Sequence, residues 1–156
     1  MADYDYVFVK TGAGDEVLPS VARSIADAIA SATVQGGVAW RTSLGRTATA
    51  RVRPNWIGRP DEFAPDDIAA YAAYEVMIEI GVRGADPGAQ LAEARRVFDG
   101  LRSRRPEWSS LLVQGLDVLV AAWHEGRHTE FTELTSAFAE DRMIWDGAAV
   151  PYRATR

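Results

Sequence analysis

The stretch Tyr74-Glu-Val-Met-Ile-Glu-Ile-Gly-Val82 is the clearest β-strand in the sequence of 156 residues. Its apolar positions form one series at a spacing of two: Tyr74, Val76, Ile78, Ile80 and Val82. Glu75 and Glu79 occupy positions between them. Because successive side chains of a strand point to opposite faces, this alternation predicts a sheet with one apolar face and one charged face.

The sequence on both sides of this strand predicts two amphipathic helices and more strands. The first helix starts between Asp15 and Pro19 and runs to about Ala32, and the second starts at Asp86-Pro87, a cap followed by proline. The predicted strands are residues 4–10, 38–42, 48–53, 111–113 and 117–123. Phe131, Leu134 and Phe138 have the spacing of a closing helix.

The order of these elements is β-α-β-β-β-α-β-β. Two helices separated by a run of strands predict an α+β fold, a two-layer, ferredoxin-like antiparallel sheet with both helices on one face. We expect one domain over residues 1–146 and a loose tail over residues 147–156.

Composition limits the function further. With no cysteine, the chain has no disulfide, thiolate metal ligand or cysteine nucleophile. No stretch approaches the ~18–20 apolar residues of a membrane span, and no secretory signal is visible, so we expect a cytoplasmic protein with no membrane partner. The net charge of −5 argues against nucleic acid. The arginine-rich, lysine-poor composition suggests a GC-rich bacterial genome.

The segment Trp123-His-Glu-Gly-Arg-His128 contains both histidines and the pattern H-E-x-x-H. On a helix, His124 and His128 share one face and could bind zinc while Glu125 acts as general base. Gly126 is a poor helix former, however, and the residues before it are strand-like. We therefore predict a hairpin turn at Glu125-Gly126, which would bring the two imidazoles close together without a catalytic site.

A second candidate site is a set of arginines and glutamates on the charged sheet face. Alternation places Arg41, Arg51 and Arg53 opposite Val38, Trp40 and Val52, on the face expected for Glu75 and Glu79. These groups either form cross-strand ion pairs or make a recognition surface for another protein. Trp56, in the proline-rich loop 54–65, either covers the core or adds an apolar contact to that surface.

Four features of the chain resemble the Sit-type immunity proteins of bacterial polymorphic toxin systems. They are the opening Tyr4-Asp-Tyr-Val7, the strand Tyr74-Glu-Val-Met-Ile-Glu-Ile80, the helix after Asp86-Pro87 and the hairpin between Leu111 and Val120. The resemblance covers most of the chain, and the stretch after Phe131 is longer than in that pattern. It implies a cytoplasmic, non-catalytic inhibitor that binds a toxin, and it assigns no individual residues.

We therefore predict a non-catalytic protein-binding domain without a cofactor, an immunity-type inhibitor with a cognate toxin as partner. The predicted contacts are Arg41, Arg51, Arg53, Trp56, Glu75 and Glu79. Two alternatives stay open: a zinc-dependent hydrolase using His124 and His128, and a dimeric domain that binds a small ligand.

Overall fold

The computed structural model describes residues 4–13, 15–29, 33–34, 36–55 and 70–138, together with 141 and 144. The described residues form an α+β fold that includes two α-helices, α1 (Leu18–Ile29) and α2 (Pro87–Arg104). The described strands are β1 (Asp5–Lys10), β2 (Thr33–Val34), β3 (Gly37–Arg41), β4 (Thr47–Pro54), β5 (Val76–Val82), β6 (Ser109–Gln114), β7 (Val118–His124) and β8 (Arg127–Ser136).

The strands form one eight-stranded sheet in the order β2-β3-β4-β5-β1-β6-β7-β8. Every neighbouring pair is antiparallel. β1 lies near the centre, paired with β5 on one side and β6 on the other, which explains why both of its faces are apolar. The tail predicted at 147–156 lies outside the described residues.

Both helices contribute to one apolar cluster with the same side of the sheet, called here the helix face. Ile25 of α1, Phe98 of α2 and Ile78 of β5 are fully buried in it. The side chain of Asp86 accepts a hydrogen bond of 2.8 Å from the amide of Ala89, so α2 starts at the predicted cap. The two predicted helices are therefore confirmed, with α1 described as far as Ile29.

The opposite side of the sheet, called here the back face, is covered in part by the short 3-10 helix Ala70–Ala73. Tyr71 stacks on Phe8 with ring centroids 4.6 Å apart. The side-chain amide of Asn55 donates to the carbonyl oxygens of Tyr71 and Tyr74 at 3.0 and 2.7 Å. These bonds hold the 3-10 helix over the aromatic side chains of β1.

The position predicted for Tyr74 is wrong. Tyr74 directly follows the 3-10 helix, where its amide donates to the carbonyl of Tyr71, and β5 begins only at Val76. Tyr74 is therefore buried on the back face with Met77, whereas Val76, Ile78, Ile80 and Val82 pack on the helix face. The alternation along β5 is as predicted only from Val76 onward.

The closing helix predicted from Phe131, Leu134 and Phe138 is also wrong. Residues 127–136 form strand β8, which pairs with β7. The register changes along this pair: Ala121 lies opposite Glu130, but Leu119 lies opposite Thr135. The two residue positions from Leu119 to Ala121 on β7 therefore lie opposite five positions, from Glu130 to Thr135, on β8. These three additional residues disrupt the alternation that would have predicted a strand.

Replacing Tyr74 with phenylalanine is expected to stabilise the protein by about 1 kcal/mol at pH 7. The Tyr74 hydroxyl is buried and has no hydrogen-bond partner in the described part of the chain, so removing it removes a desolvation cost. Burial raises the pKa of this phenol above 10, so the folded state favours the protonated form. Because the unfolded phenol ionises above pH 10, the wild type loses ~1.4 kcal/mol per further pH unit relative to the variant.

Chemical unfolding at pH 7 and pH 11 measures both effects. Tyr4→Phe is the control, because it removes the same hydroxyl group from a partly exposed tyrosine. A Tyr74→Phe variant less stable than the wild type at pH 7 would show that the hydroxyl has a favourable contact.

Candidate protein-binding surface

The H-E-x-x-H segment forms the predicted hairpin turn and not a helix. β7 ends at His124, β8 begins at Arg127, and Glu125 and Gly126 are the two residues between them. Their φ angles are 52° and 77°, as a two-residue type I′ turn requires. Glycine adopts such an angle without strain, so Gly126 is the residue that makes this turn favourable.

The two histidines lie on opposite faces of this hairpin, so the prediction that the turn brings them together is wrong. His128 lies opposite Trp123, and His124 lies opposite Arg127. His128 is on the helix face, where its Nε2 is 2.6 Å from Glu130 and its ring is 6.0 Å from that of Phe98. Among the described residues, no three His, Cys, Asp or Glu side chains are grouped to hold a metal ion.

Glu130 is itself part of a polar contact between β8 and α2. Arg95 donates to its two carboxylate oxygens at 2.9 and 2.8 Å, and these bonds hold the pKa of Glu130 below its usual range. His128 therefore belongs to a network that joins the hairpin to the helix. Neither imidazole has the surroundings of a helical zinc site.

On the back face, His124 contacts a serine that the sequence did not single out. Its Nδ1 is 2.9 Å from Ser109 Oγ, and its Nε2 is 3.8 Å from the carboxylate of Glu125. A serine nucleophile needs an acid bound to the imidazole and donors for the oxyanion. The Glu125 side chain is 84% exposed, and neither of the two concavities described below is lined by Ser109 or His124.

The predicted arginines lie together on the exposed half of the back face. We use the name arginine surface for Arg41, Thr47, Thr49, Arg51 and Arg53 on β3 and β4. Val38, Trp40 and Val52 pack on the helix face, so the predicted alternation is confirmed. Arg41, Thr47, Thr49 and Arg51 are exposed, and Arg53 is half-buried.

Only one of the predicted cross-strand ion pairs is formed. Glu79 lies directly opposite Arg51 in the register, but its carboxylate is 3.1 Å from Nε of Arg53, its diagonal neighbour. In the described part of the chain, neither Arg41 nor Arg51 takes part in an ion pair. Two exposed positive charges therefore remain on this surface.

The turn that joins β3 and β4 adds an apolar group to the edge of the arginine surface. Leu44 is 76% exposed, and Arg41 donates to the carbonyl of Gly45 at 3.0 Å within the same turn. At the base of this turn, the Arg46 guanidinium donates to the carbonyl of Gly84. This bond connects the β3–β4 turn to the residues that follow β5. Trp56 lies outside the described residues.

Glu75 has a contact that differs from its predicted one. Its Oε1 accepts hydrogen bonds from the amide and hydroxyl of Thr11, the latter at 2.7 Å, and from the amide of Gly12 at 3.1 Å. Glu75 therefore fastens the loop after β1 to the start of β5. We place it outside the arginine surface.

Replacing Glu75 with alanine is expected to lower the free energy of unfolding by about 2 kcal/mol, because several donors lose a charged acceptor. Glu75→Gln keeps one acceptor oxygen and should cost about half as much. Chemical denaturation measures both, with Glu125→Ala at an exposed position as the neutral control. A Glu75→Ala variant as stable as this control would contradict the assignment.

Beside Arg51, the arginine surface contains a pit of about 110 Å³. Gly37, which lies opposite Arg51 in the register, is one of its lining residues. Tyr4, Thr49 and Glu79 are among its other lining residues. We use the name pit for this concavity.

A larger cleft of about 1090 Å³ lies at the end of the sheet where β5 ends and α2 begins. Tyr4 and Tyr6 line it from β1 and its approach, Arg83 from the end of β5, and Asp117 from the turn between β6 and β7. Tyr4 and Thr49 line both the cleft and the pit, so the two concavities are adjacent.

Sequence reasoning missed Tyr4, Thr49 and Gly37 as parts of the site. Alternation along β4 could have placed Thr49 beside Arg51, because both lie between inward-facing residues. Tyr4 and Gly37 reach the site only through the order and register of the strands, which a local pattern does not contain.

No known protein family, curated protein or solved structure matches this chain. None of the described helices is long and apolar enough to cross a membrane.

Proposed function

We propose that this protein is a non-catalytic protein-binding domain that engages its partner through the arginine surface. The observation that carries the proposal is the presence of two exposed arginines, Arg41 and Arg51, without an ion pair in the described residues. Both are held on paired strands of a sheet, so the surface is pre-organised and association needs little ordering of the backbone. Exposed Leu44 supplies an apolar group at its edge.

The kind of partner follows from the resemblance to Sit-type immunity proteins, which implies a bacterial toxin. The elements that carry the resemblance correspond to β1, β5, α2 and the β6–β7 hairpin. A domain that neutralises a toxin needs a binding surface and no reacting groups. This agrees with the hairpin position of His124 and His128.

We also infer that the fold contains a ferredoxin-like core. With β2 and β3 left out, the chain order is β1-α1-β4-β5-α2-β6, and these four strands lie in the sheet order β4-β5-β1-β6, which supports this inference. β2 and β3 would then widen the sheet at one edge, and β7 and β8 at the other. Nuclear Overhauser contacts from Val7 to both Ile78 and Leu112 test the central position of β1.

Affinity capture tests the proposed function. The tagged chain, incubated with a lysate of its source organism, should retain one protein in about equimolar amount, and added salt should weaken the complex because exposed charges contribute to it. If the tagged chain retains no specific protein from this lysate, the result would contradict the proposal.

A zinc hydrolase using His124 and His128 remains the competing proposal from another class of protein. Metal analysis of protein prepared without a histidine tag separates the two, and we expect no stoichiometric zinc because the imidazoles lie on opposite faces. Stoichiometric zinc that His128→Ala removes would favour the hydrolase.

The cleft supports a second candidate function, the binding of a small ligand by a dimer. Its volume of about 1090 Å³ is slightly above the ~300–1,000 Å³ of ligand pockets, which leaves room for a small ligand. Sedimentation equilibrium tests the dimer. Retention of a small molecule through native mass spectrometry tests the ligand.

A further inference from the structure

We propose that the pit is an anchor site for a carboxylate side chain of the partner protein, bound by the guanidinium group of Arg51. This inference rests on the proposed function and adds the chemistry of the partner to it. It depends on three features of the described residues: the charge around the pit, its size and the position of Arg51 in its wall.

The charge around the pit favours an anion. Glu79 is the acidic residue in its lining, and its carboxylate is held at 3.1 Å by Arg53. Because Glu79 is paired with Arg53, the positive charge of Arg51 is not neutralised by Glu79. An arginine fork bonds a carboxylate through two parallel N–H groups, which gives geometric selectivity in addition to attraction.

The size of the pit fits one side chain. Its volume of about 110 Å³ is well below the ~300–1,000 Å³ of ligand pockets. Small-molecule sites are several times larger, whereas the anchor residues of protein interfaces fill small pockets at the centre of the contact. The pit therefore fits the end of an aspartate or glutamate side chain better than a free metabolite.

Small residues line the pit beside Arg51. Gly37 has no side chain, and its backbone lies so close to β4 that a Cβ atom would be 2.0 Å from the carbonyl oxygen of Ala50. Thr49, on the same face of β4, is short. Tyr4 forms part of the wall from the approach to β1. An acidic side chain can thus reach the Arg51 guanidinium between these groups.

An acidic protein segment is favoured over nucleic acid as the occupant. A nucleic acid is bound through many phosphates, each neutralised by a basic residue. The chain has a net charge of −5, and among the described residues Arg51 is the basic residue that lines the pit. A single carboxylate needs only the local charge of Arg51.

Nuclear magnetic resonance titration with poly-L-glutamate tests the anchor site. We expect shift changes to cluster at the amides of Gly37, Thr49 and Arg51, and the apparent Kd to rise about tenfold or more in Arg51→Ala. The apparent Kd of Arg51→Lys should lie between those of the wild type and Arg51→Ala, since lysine keeps the positive charge but lacks the two parallel N–H groups of the guanidinium. Arg23→Ala, at an exposed position of α1, should bind like the wild type.

A second variant separates the pit from the charge of Arg51. Thr49→Trp fills the pit without changing any charge, and aromatic residues suit a strand. We expect it to weaken poly-L-glutamate binding about as much as Arg51→Ala, with an unchanged thermal unfolding midpoint as evidence of folding. Shift changes away from the pit, or equal affinity of the wild type and Arg51→Ala, would overturn the anchor site. Tighter binding of a single-stranded oligonucleotide of equal charge would also overturn it.

The two proposals can fail separately. A captured protein partner whose affinity is unchanged by Arg51→Ala and Thr49→Trp overturns the anchor site and supports the proposed function. Poly-L-glutamate bound at the pit, with no protein retained from the lysate, contradicts the proposed function and supports the anchor chemistry.

Discussion

Replacing Arg41 and Arg51 together with glutamate is expected to weaken binding of the captured partner about a hundredfold or more. Each substitution removes an exposed positive charge from the arginine surface and places a negative one there. Like charges brought together at an interface cost several kcal/mol, and ~1.4 kcal/mol corresponds to a tenfold change in Kd. Isothermal titration with the purified partner measures this effect.

The matched control carries the same change in net charge at other places. Arg23 on α1 and Arg127 at the start of β8 are both exposed, and neither belongs to the arginine surface. Arg23→Glu/Arg127→Glu should alter Kd by less than about threefold, since distant exposed charges are screened by salt. Equal losses in the two double variants would mean that net charge, and not this surface, controls binding.

Replacing Gly37 with alanine is expected to destabilise the fold by about 3 kcal/mol, the largest folding effect predicted here. The new Cβ atom would lie 2.0 Å from the carbonyl oxygen of Ala50, a contact that no side-chain rotation can relieve. β3 would have to separate from β4 at this point, and the pit would lose its shape. Partner binding should therefore fall together with stability.

Gly88→Ala is the control for the loss of glycine itself. Gly88 lies in the first turn of α2, and a Cβ atom there would meet only the Asp86 carboxylate at 3.4 Å, an ordinary contact. Alanine is favoured over glycine in helices, so this variant should gain up to ~1 kcal/mol. Chemical denaturation compares the two. Similar unfolding energies for Gly37→Ala and Gly88→Ala would contradict the close approach of β3 and β4.

The sequence predicted the elements whose patterns are local. The alternation of Val76, Ile78 and Ile80 defines β5, and Asp86-Pro87 defines the start of α2, because strand and helix periods and caps act over a few residues. The hairpin at Glu125-Gly126 was predictable for the same reason, since Gly126 favours the turn over a helix.

Features that depend on pairing between distant segments could not be predicted. In β8 the extra residues opposite β7 interrupt the alternation, so the spacing of Phe131 and Leu134 imitates a helix. Alternation predicts Glu75 on the charged face with the arginines, but its partners are Thr11 and Gly12, more than 60 positions away. The opposite placement of His124 and His128 follows from the hairpin register.

Some features of the candidate site follow from local patterns, and others depend on contacts between distant segments. The presence of Arg41, Arg51 and Arg53 on one face follows from alternation along two strands. That Glu79 pairs with Arg53 while Arg51 stays exposed depends on side-chain geometry across β4 and β5. The pit depends further on Tyr4, which the strand order brings to β4 and β5.

Hydrogen–deuterium exchange of the complex with the captured partner tests the central claim most directly. Binding through the arginine surface predicts slower exchange in β3 (Gly37–Arg41) and β4 (Thr47–Pro54), with α1 and the β7–β8 turn unchanged. Protection confined to α1, α2 or the β7–β8 turn, with β3 and β4 exchanging as in the free protein, would contradict it.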